Sequence, residues 1–354
     1  MTSRATMAAD LAPSPGSPTK TFVLEAHADD PSEYLEHLEG VTSVQKSDDV
    51  FLFHVRTDDG NFWVDQLDPR FWSFHTNMRS DKASTIINRW VSAHRDLDRM
   101  WLPSEHLRKA WPGSIPRRVR TDFRGKALLG SAGADTEDLQ LQMSGRNAEA
   151  FLEFIEKSAY ASAFSYDGIE MNISDPDFGV AREAVNRKGK FAVSGDSFAL
   201  HTQFVGSVVS RYSSLVRLCE EKAIGWSPFE TGDGGGGFDG GPITVMFSRP
   251  ITDQQAFLSE LFSARAPFRL WGIPEIASDG TAEVEAVDLH VGQRLRLDIG
   301  TEWMRIYLES GGCGNTVARM VCNLQHRFDA ALKMMDPELD EAIGIREVIP
   351  QAAV

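Results

Sequence analysis

The chain reads as an α+β protein built from three tandem β-α-β-β-β-β-α units. Three observations carry that expectation. First, a short apolar strand leads into a small helix three times: Phe22-Val23-Leu24 before Tyr34-Leu35, Leu139 to Met143 before Phe151-Leu152, and Ile243 to Phe247 before Phe257-Leu258. Second, each stretch closes on a longer helix in which an arginine precedes a large apolar residue, at Arg89-Trp90, Arg211-Tyr212 and Arg319-Met320. Third, Phe74-His75-Thr76 is echoed by Leu200-His201-Thr202 ahead of the longer helix.

In the first unit, residues 21–97, Thr21 to Ala28 alternates as a strand, and Pro31-Ser32 opens a short helix through Leu38. Strands are expected at Val41 to Lys46, Val50 to Arg56, Asn61 to Leu67 and Arg70 to Thr76, with Asp58-Asp59-Gly60 as a tight turn. Ser80-Asp81 suits the start of a helix whose stripe is Ile86, Ile87, Trp90 and Val91. The second unit, 139–226, repeats the order, with strands near Ala163–Ile173, Val180–Arg187, Lys190–Ser194 and Ser197–Phe204, then a helix from Ser207 to Lys222. The third, 243–335, places strands near Phe268–Trp271, Ala282–Val291, Arg294–Ile299 and Glu302–Leu308, then a helix from Asn315 with Val317, Met320, Val321, Leu324 and Phe328.

Four segments lie outside the units. Residues 1–20 are rich in Ala, Ser, Pro and Thr and read as a disordered tail. Residues 98–138 form a basic connector with a short helix, 227–242 a glycine-rich linker, and 336–354 a C-terminal tail. There is no apolar run of a signal peptide and no stretch long enough to span a bilayer, so the expectation is a cytoplasmic protein with no membrane partner. Cys219, Cys313 and Cys322 are an odd, sparse set without zinc spacing, which argues against a disulfide scaffold. The formal net charge of -15 disfavours a general nucleic-acid coat.

No catalytic signature stands out, and no cofactor or metal is expected. Gly232, Gly234 and Gly237 satisfy a GxGxxG pattern, but a strand follows where a dinucleotide site needs a helix. His94-Arg95-Asp96 and Asp177-Phe178-Gly179 match kinase tripeptides without the remaining kinase parts. The nine histidines are scattered; His75 and His201 stand at corresponding places and read as strand-end residues bonded to backbone. The candidate binding segment is Arg108, Lys109, Arg117, Arg118, Arg120, Arg124 and Lys126, seven cations against Asp122, interleaved with Trp101, Trp111 and Phe123. Three readings stay open: a solvated connector, a dock for an acidic protein face, or a nucleic-acid grip in which arginines hold phosphates and rings stack bases.

Strand, helix, four strands and long helix is an order similar to the half-repeat of the TATA-binding protein, here over 21–335 in three copies. The resemblance implies a curved antiparallel sheet with two helices on one face of each unit. The family's DNA-facing phenylalanine pairs have no match here, so it implies no site residues. One sheet face forms the core; the other is solvated or binds something. Trp63, Phe71, Phe74 and Trp303 are large enough to make such a face adhesive. The expected function is a non-enzymatic binding or scaffold protein, a subunit of a multi-protein assembly or homo-oligomer. The alternatives are nucleic-acid binding through 108–126 and an enzyme of unrecognised type.

Overall fold

A computed structural model describes residues 2–13, 18–114, 116–129, 138–145, 148–158, 161–195, 197–228 and 236–343. The first elements are α1 (Arg4–Asp10), β1 (Thr19–Ala26), α2 (Pro31–Glu36), β2 (Val41–Lys46), β3 (Leu52–Thr57), β4 (Gly60–Asp65), β5 (Phe71–Thr76), α3 (Ser80–Ala93) and β6 (Leu97–Arg99). Next come α4 (Ser104–Arg108), β7 (Pro116–Phe123), α5 (Lys126–Leu129), β8 (Leu139–Ser144), α6 (Ala148–Glu156), β9 (Tyr166–Asp175), β10 (Gly179–Asn186), β11 (Lys190–Gly195) and α7 (Phe198–Glu221). The last are β12 (Gly225–Pro228), β13 (Gly236–Asp239), β14 (Ile243–Met246), α8 (Gln254–Leu261), β15 (Leu270–Ile276), β16 (Ala282–Asp288), β17 (Arg294–Ile299), β18 (Trp303–Leu308), α9 (Gly314–Arg327), β19 (Lys333–Met334) and α10 (Pro337–Ile343). No helix among the described residues is long and apolar enough to cross a membrane.

The chain divides into two compact units, not three successive ones. The first takes Met1–Trp101, Lys109–Val119 and Gly168–Tyr212; the second takes Leu102–Arg108, Arg120–Asp167 and Ser213–Val354. The expected middle block is therefore split, because β10 and β11 continue the sheet of the first block while β8 belongs to the second unit.

In the first unit the strands run β2-β3-β4-β5-β1-β11-β10-β9, with antiparallel neighbours throughout. Gly60 makes the β3–β4 turn at a φ of 153°, and a Cβ there would meet Met78 Sδ at 2.5 Å, so the position favours glycine. One sheet face carries Phe22, Leu24, Val55, Phe62, Val64, Trp72 and Phe74, buried against Leu35 of α2 and Ile86, Ile87 and Trp90 of α3. Asp30 caps α2 by accepting from Ser32 and Glu33 N–H, and Pro31 supplies the preset φ of its first turn.

The opposite face is covered too. Leu52 and Trp63 pack with Met7, Leu11 and Phe198. Arg4 bolts α1 in place, donating to Asp65 Oδ2 at 2.6 Å and Oδ1 at 3.0 Å and also to Asp49. The first residues thus fold instead of trailing: composition suggests a disordered tail, but two apolar side chains and one arginine suffice to dock a helix. The expectation of an adhesive second face fails here for the same reason, since Trp63, Phe71 and Phe74 are all buried.

In the second unit the strands run β15-β16-β17-β18-β14-β19. The third block therefore has the strand order of the first: its opening strand lies beside its last, and the rest follow in sequence. Inward residues Val284, Ala286, Leu295, Leu297, Met304 and Ile306 are buried, and α9 is buried from Gly314 to His326. Arg319 on α9 holds Asp288 at the end of β16 and donates from Nε to Phe268 O at 2.9 Å. Asp329 accepts from Ser248 N–H and Oγ–H and from Ala331 N–H, fixing the chain after α9.

Three further expectations change. The basic connector is not a connector throughout: β6 pairs with β1, and β7 lies beside β9. The glycine-rich linker is partly sheet, because Gly236–Asp239 pairs with Gly225–Pro228; residues 229–235 lie outside the described set. The C-terminal tail begins as a helix, whose Leu339 and Ile343 are buried.

Candidate functional site

The two histidines that echo each other in sequence meet in the first unit. Thr21 on β1 projects its hydroxyl between them, with Oγ1 2.7 Å from His75 Nδ1 and 2.7 Å from His201 Nε2. The far side of the His201 ring, Nδ1, lies 3.0 Å from both carboxylate oxygens of Glu183 on β10. His201 sits on α7, where the sequence suggests a strand over Ser197–Phe204; Phe198, His201, Phe204, Val205 and Val208 recur at helical spacing. Burial pushes the His75 imidazole down to about 3, with His201 adding to the effect. Burial pushes the Glu183 carboxyl up against the pull of His201.

Hydroxyl, imidazole and carboxylate stand in the order of an acyl-transfer triad. Thr21, His201 and Glu183 each have zero exposure, and His75 has 2%. A nucleophile sealed on every side meets no substrate. What the network does is satisfy polar groups inside the core, where each unpaired one would cost about 1–3 kcal/mol.

The basic segment is distributed over several elements. Arg108 on α4 lies 3.8 Å from Glu105, Arg118 pairs with Glu170 at 3.0 Å, Arg120 with Asp167 at 2.6 Å, and Arg124 with Asp122 and Asp138 at 2.8 and 3.0 Å. Arg117, Lys109 and Lys126 are exposed. Trp101 is buried with its Nε1–H on Asp98, Phe123 is buried beneath the Arg249 guanidinium, and Trp111 is half-buried 5.9 Å from Phe204. Four of the seven cations face carboxylates, and two of the three rings face inward, so the segment presents no ladder of arginines and free rings.

The open surface is the outer face of β14–β18. Along β15 to β18 the residues alternate buried and exposed, as in a sheet solvated on one side. β15 presents Trp271 and Ile273, 50% and 66% exposed, followed by Glu275. β16 adds Glu283, Glu285 and Val287; β17 adds Arg294, Arg296 and Asp298; β18 adds Trp303, Arg305 and Tyr307. The register aligns Ile273, Glu285, Arg296 and Tyr307 in one row and Glu275, Glu283, Asp298 and Arg305 in the next. Arg296 bridges Glu283 and Asp298 at 2.9 and 3.1 Å and lies over Tyr307, whose hydroxyl donates to Asp298 at 2.8 Å. Arg305 stacks 4.8 Å from the Trp303 ring. These contacts hold long side chains in place before anything binds, which lowers the entropy cost of association.

The edge of this sheet is less inviting than its face. Pro274, central in β15, has no N–H to offer an added strand, and Ser263 already bridges to Trp271. Of the aromatics singled out from sequence only Trp303 lies on this face; the rest of the site escapes a reading by motif. The alternation Trp271-Gly-Ile273-Pro-Glu275 is the signal that could have found it.

The family model described as MJECL33-like protein matches residues 16–343. The chain is similar to an uncharacterized protein, MJECL33, of Methanocaldococcus jannaschii, at 23% identity across 88% of this chain and 84% of that one. No solved structure matches.

Proposed function

The chain belongs to the MJECL33-like protein family, and we propose that it is a non-enzymatic binding or scaffold protein that holds its partner on the outer face of β14–β18. The observation that carries this reading is the exposed, pre-ordered patch of Trp271, Ile273, Arg296, Arg305 and Tyr307 on a sheet whose other side is core. The triad-like cluster offers no competing active site, because it is sealed. The shared strand order of the first and third blocks supports descent from a repeated module similar to the TATA-binding-protein half. Nucleic acid is disfavoured as the partner, since Glu275, Glu283, Glu285 and Asp298 would repel phosphates. Three buried cysteines, none joined in a disulfide, fit a reducing, cytoplasmic setting.

Replacing Trp271 and Ile273 together by serine tests the site. Both side chains are exposed, so the fold should tolerate the change. Chemical cross-linking of the full chain in host extract should give a partner-containing or self-linked species that the double variant loses. Identical cross-linked species from both proteins would sink the reading.

A further inference from the structure

We propose that the occupant of this face is a second copy of the same chain, packed sheet against sheet about a two-fold axis. This deepens the reading above and rests on it. The face is divided by charge: Glu275, Glu283 and Glu285 stand on β15 and β16, while Arg294, Arg296 and Arg305 stand on β17 and β18. Asp298, the exception, is already engaged by Arg296 and Tyr307. A surface with one acidic half and one cationic half complements itself once it is turned over.

Let the axis lie in the interface, parallel to the strands, between β16 and β17. Rotation by half a turn then places β15 of one copy over β18 of the other, and β16 over β17. Because the register puts Ile273 in the row of Tyr307, those two side chains come to face each other. In the same row Glu285 faces Arg296, and in the next row Glu275 faces Arg305. Glu283 faces Asp298 there, two carboxylates that are each already paired with Arg296 of their own copy. Each contact occurs twice, as an isologous interface requires. The strands of the two copies stay near-aligned, one of the two ways in which sheets pack face to face. An acidic or basic foreign partner would match only half of the face and be repelled by the other half.

The test uses charge exchange. Glu275→Arg and Arg305→Glu are made separately in the full chain, and circular-dichroism melting checks that each folds. Masses are measured by light scattering at about 0.15 M salt, where the repulsion between two acidic chains is screened beyond about 8 Å. The wild type is expected at twice the chain mass. Each variant alone should fall to the chain mass, since like charges then oppose each other twice per pair: two guanidinium groups in the first variant, two carboxylates in the second. Mixing the two variants should restore a species of twice the chain mass, because in a mixed pair one of the two contacts has opposite charges with their polarity reversed and the other is the native Glu275–Arg305 contact. A monomeric wild type, or variants that stay dimeric alone, overturns the proposal. A monomeric wild type that still loses a foreign cross-linked partner on Trp271 and Ile273 replacement would leave the binding reading standing and remove only the second copy.

Discussion

Acidification tests the buried network most directly. In the folded chain the His75 imidazole is held down at about 3, against 6.5 for the exposed group. Between those values the unfolded chain takes up a proton that the folded chain refuses. Stability therefore falls as pH falls, by about 1.36 kcal/mol per unit. Going from pH 7 to 4.5 should cost about 3 kcal/mol from His75 alone. Glu183 acts in the opposite sense: its folded carboxyl is raised, so its contribution is present at low pH and is lost as pH rises through the folded value. It offsets part of the His75 loss, so the wild-type slope alone is not decisive. The comparison needed is with His75→Gln, which keeps an amide to meet the Thr21 hydroxyl but cannot titrate. Urea unfolding at pH 7, 5.5 and 4.5 should show the wild type losing about 3 kcal/mol more than the variant across that range. Parallel losses in the two proteins would refute the claim that His75 is held neutral by burial.

Two other outcomes follow from the core. Arg319→Met strips the guanidinium from buried Asp288 and should cost about 3–5 kcal/mol in urea unfolding, with a second change, Asp288→Asn, recovering part of it; a loss below about 1 kcal/mol would mean the pair is not buried as described. Cys219, Cys313 and Cys322 should be silent to a thiol reagent in the native protein and all react in denaturant, since all are buried and burial pushes the Cys219 thiol up to about 12; a fast native-state thiol would contradict this.

Where the chain alternates cleanly, its pattern carries over into the fold. Phe22, Leu24, Phe62, Val64 and Phe74 lie on one face, and the order β1-α2-β2-β3-β4-β5-α3 emerges as expected. Sequence reading fails where the deciding partner is distant or the pattern is short. The run Phe198-Ala-Leu-His-Thr taken alone fits a strand or a helix, and the helical period shows only when Phe204, Val205 and Val208 are read with it. The basic segment looks strongly cationic because Asp167 and Glu170, which neutralise Arg120 and Arg118, stand some fifty positions later. The tail from residue 1 looks structureless because Arg4 meets Asp49 and Asp65 only once the sheet exists. The outer face of β15–β18 is half visible: its alternation can be read, but its division into acidic and cationic halves needs the register of four strands.

Pro274 and the Ser263 bridge also bear on how far assembly can go. A bare strand margin recruits neighbours without limit, each newcomer exposing the same margin again. If the broad side takes a second copy as proposed, blunting this margin favours a terminating pair over an open-ended array, with Pro274 as the residue that withholds the ladder donor.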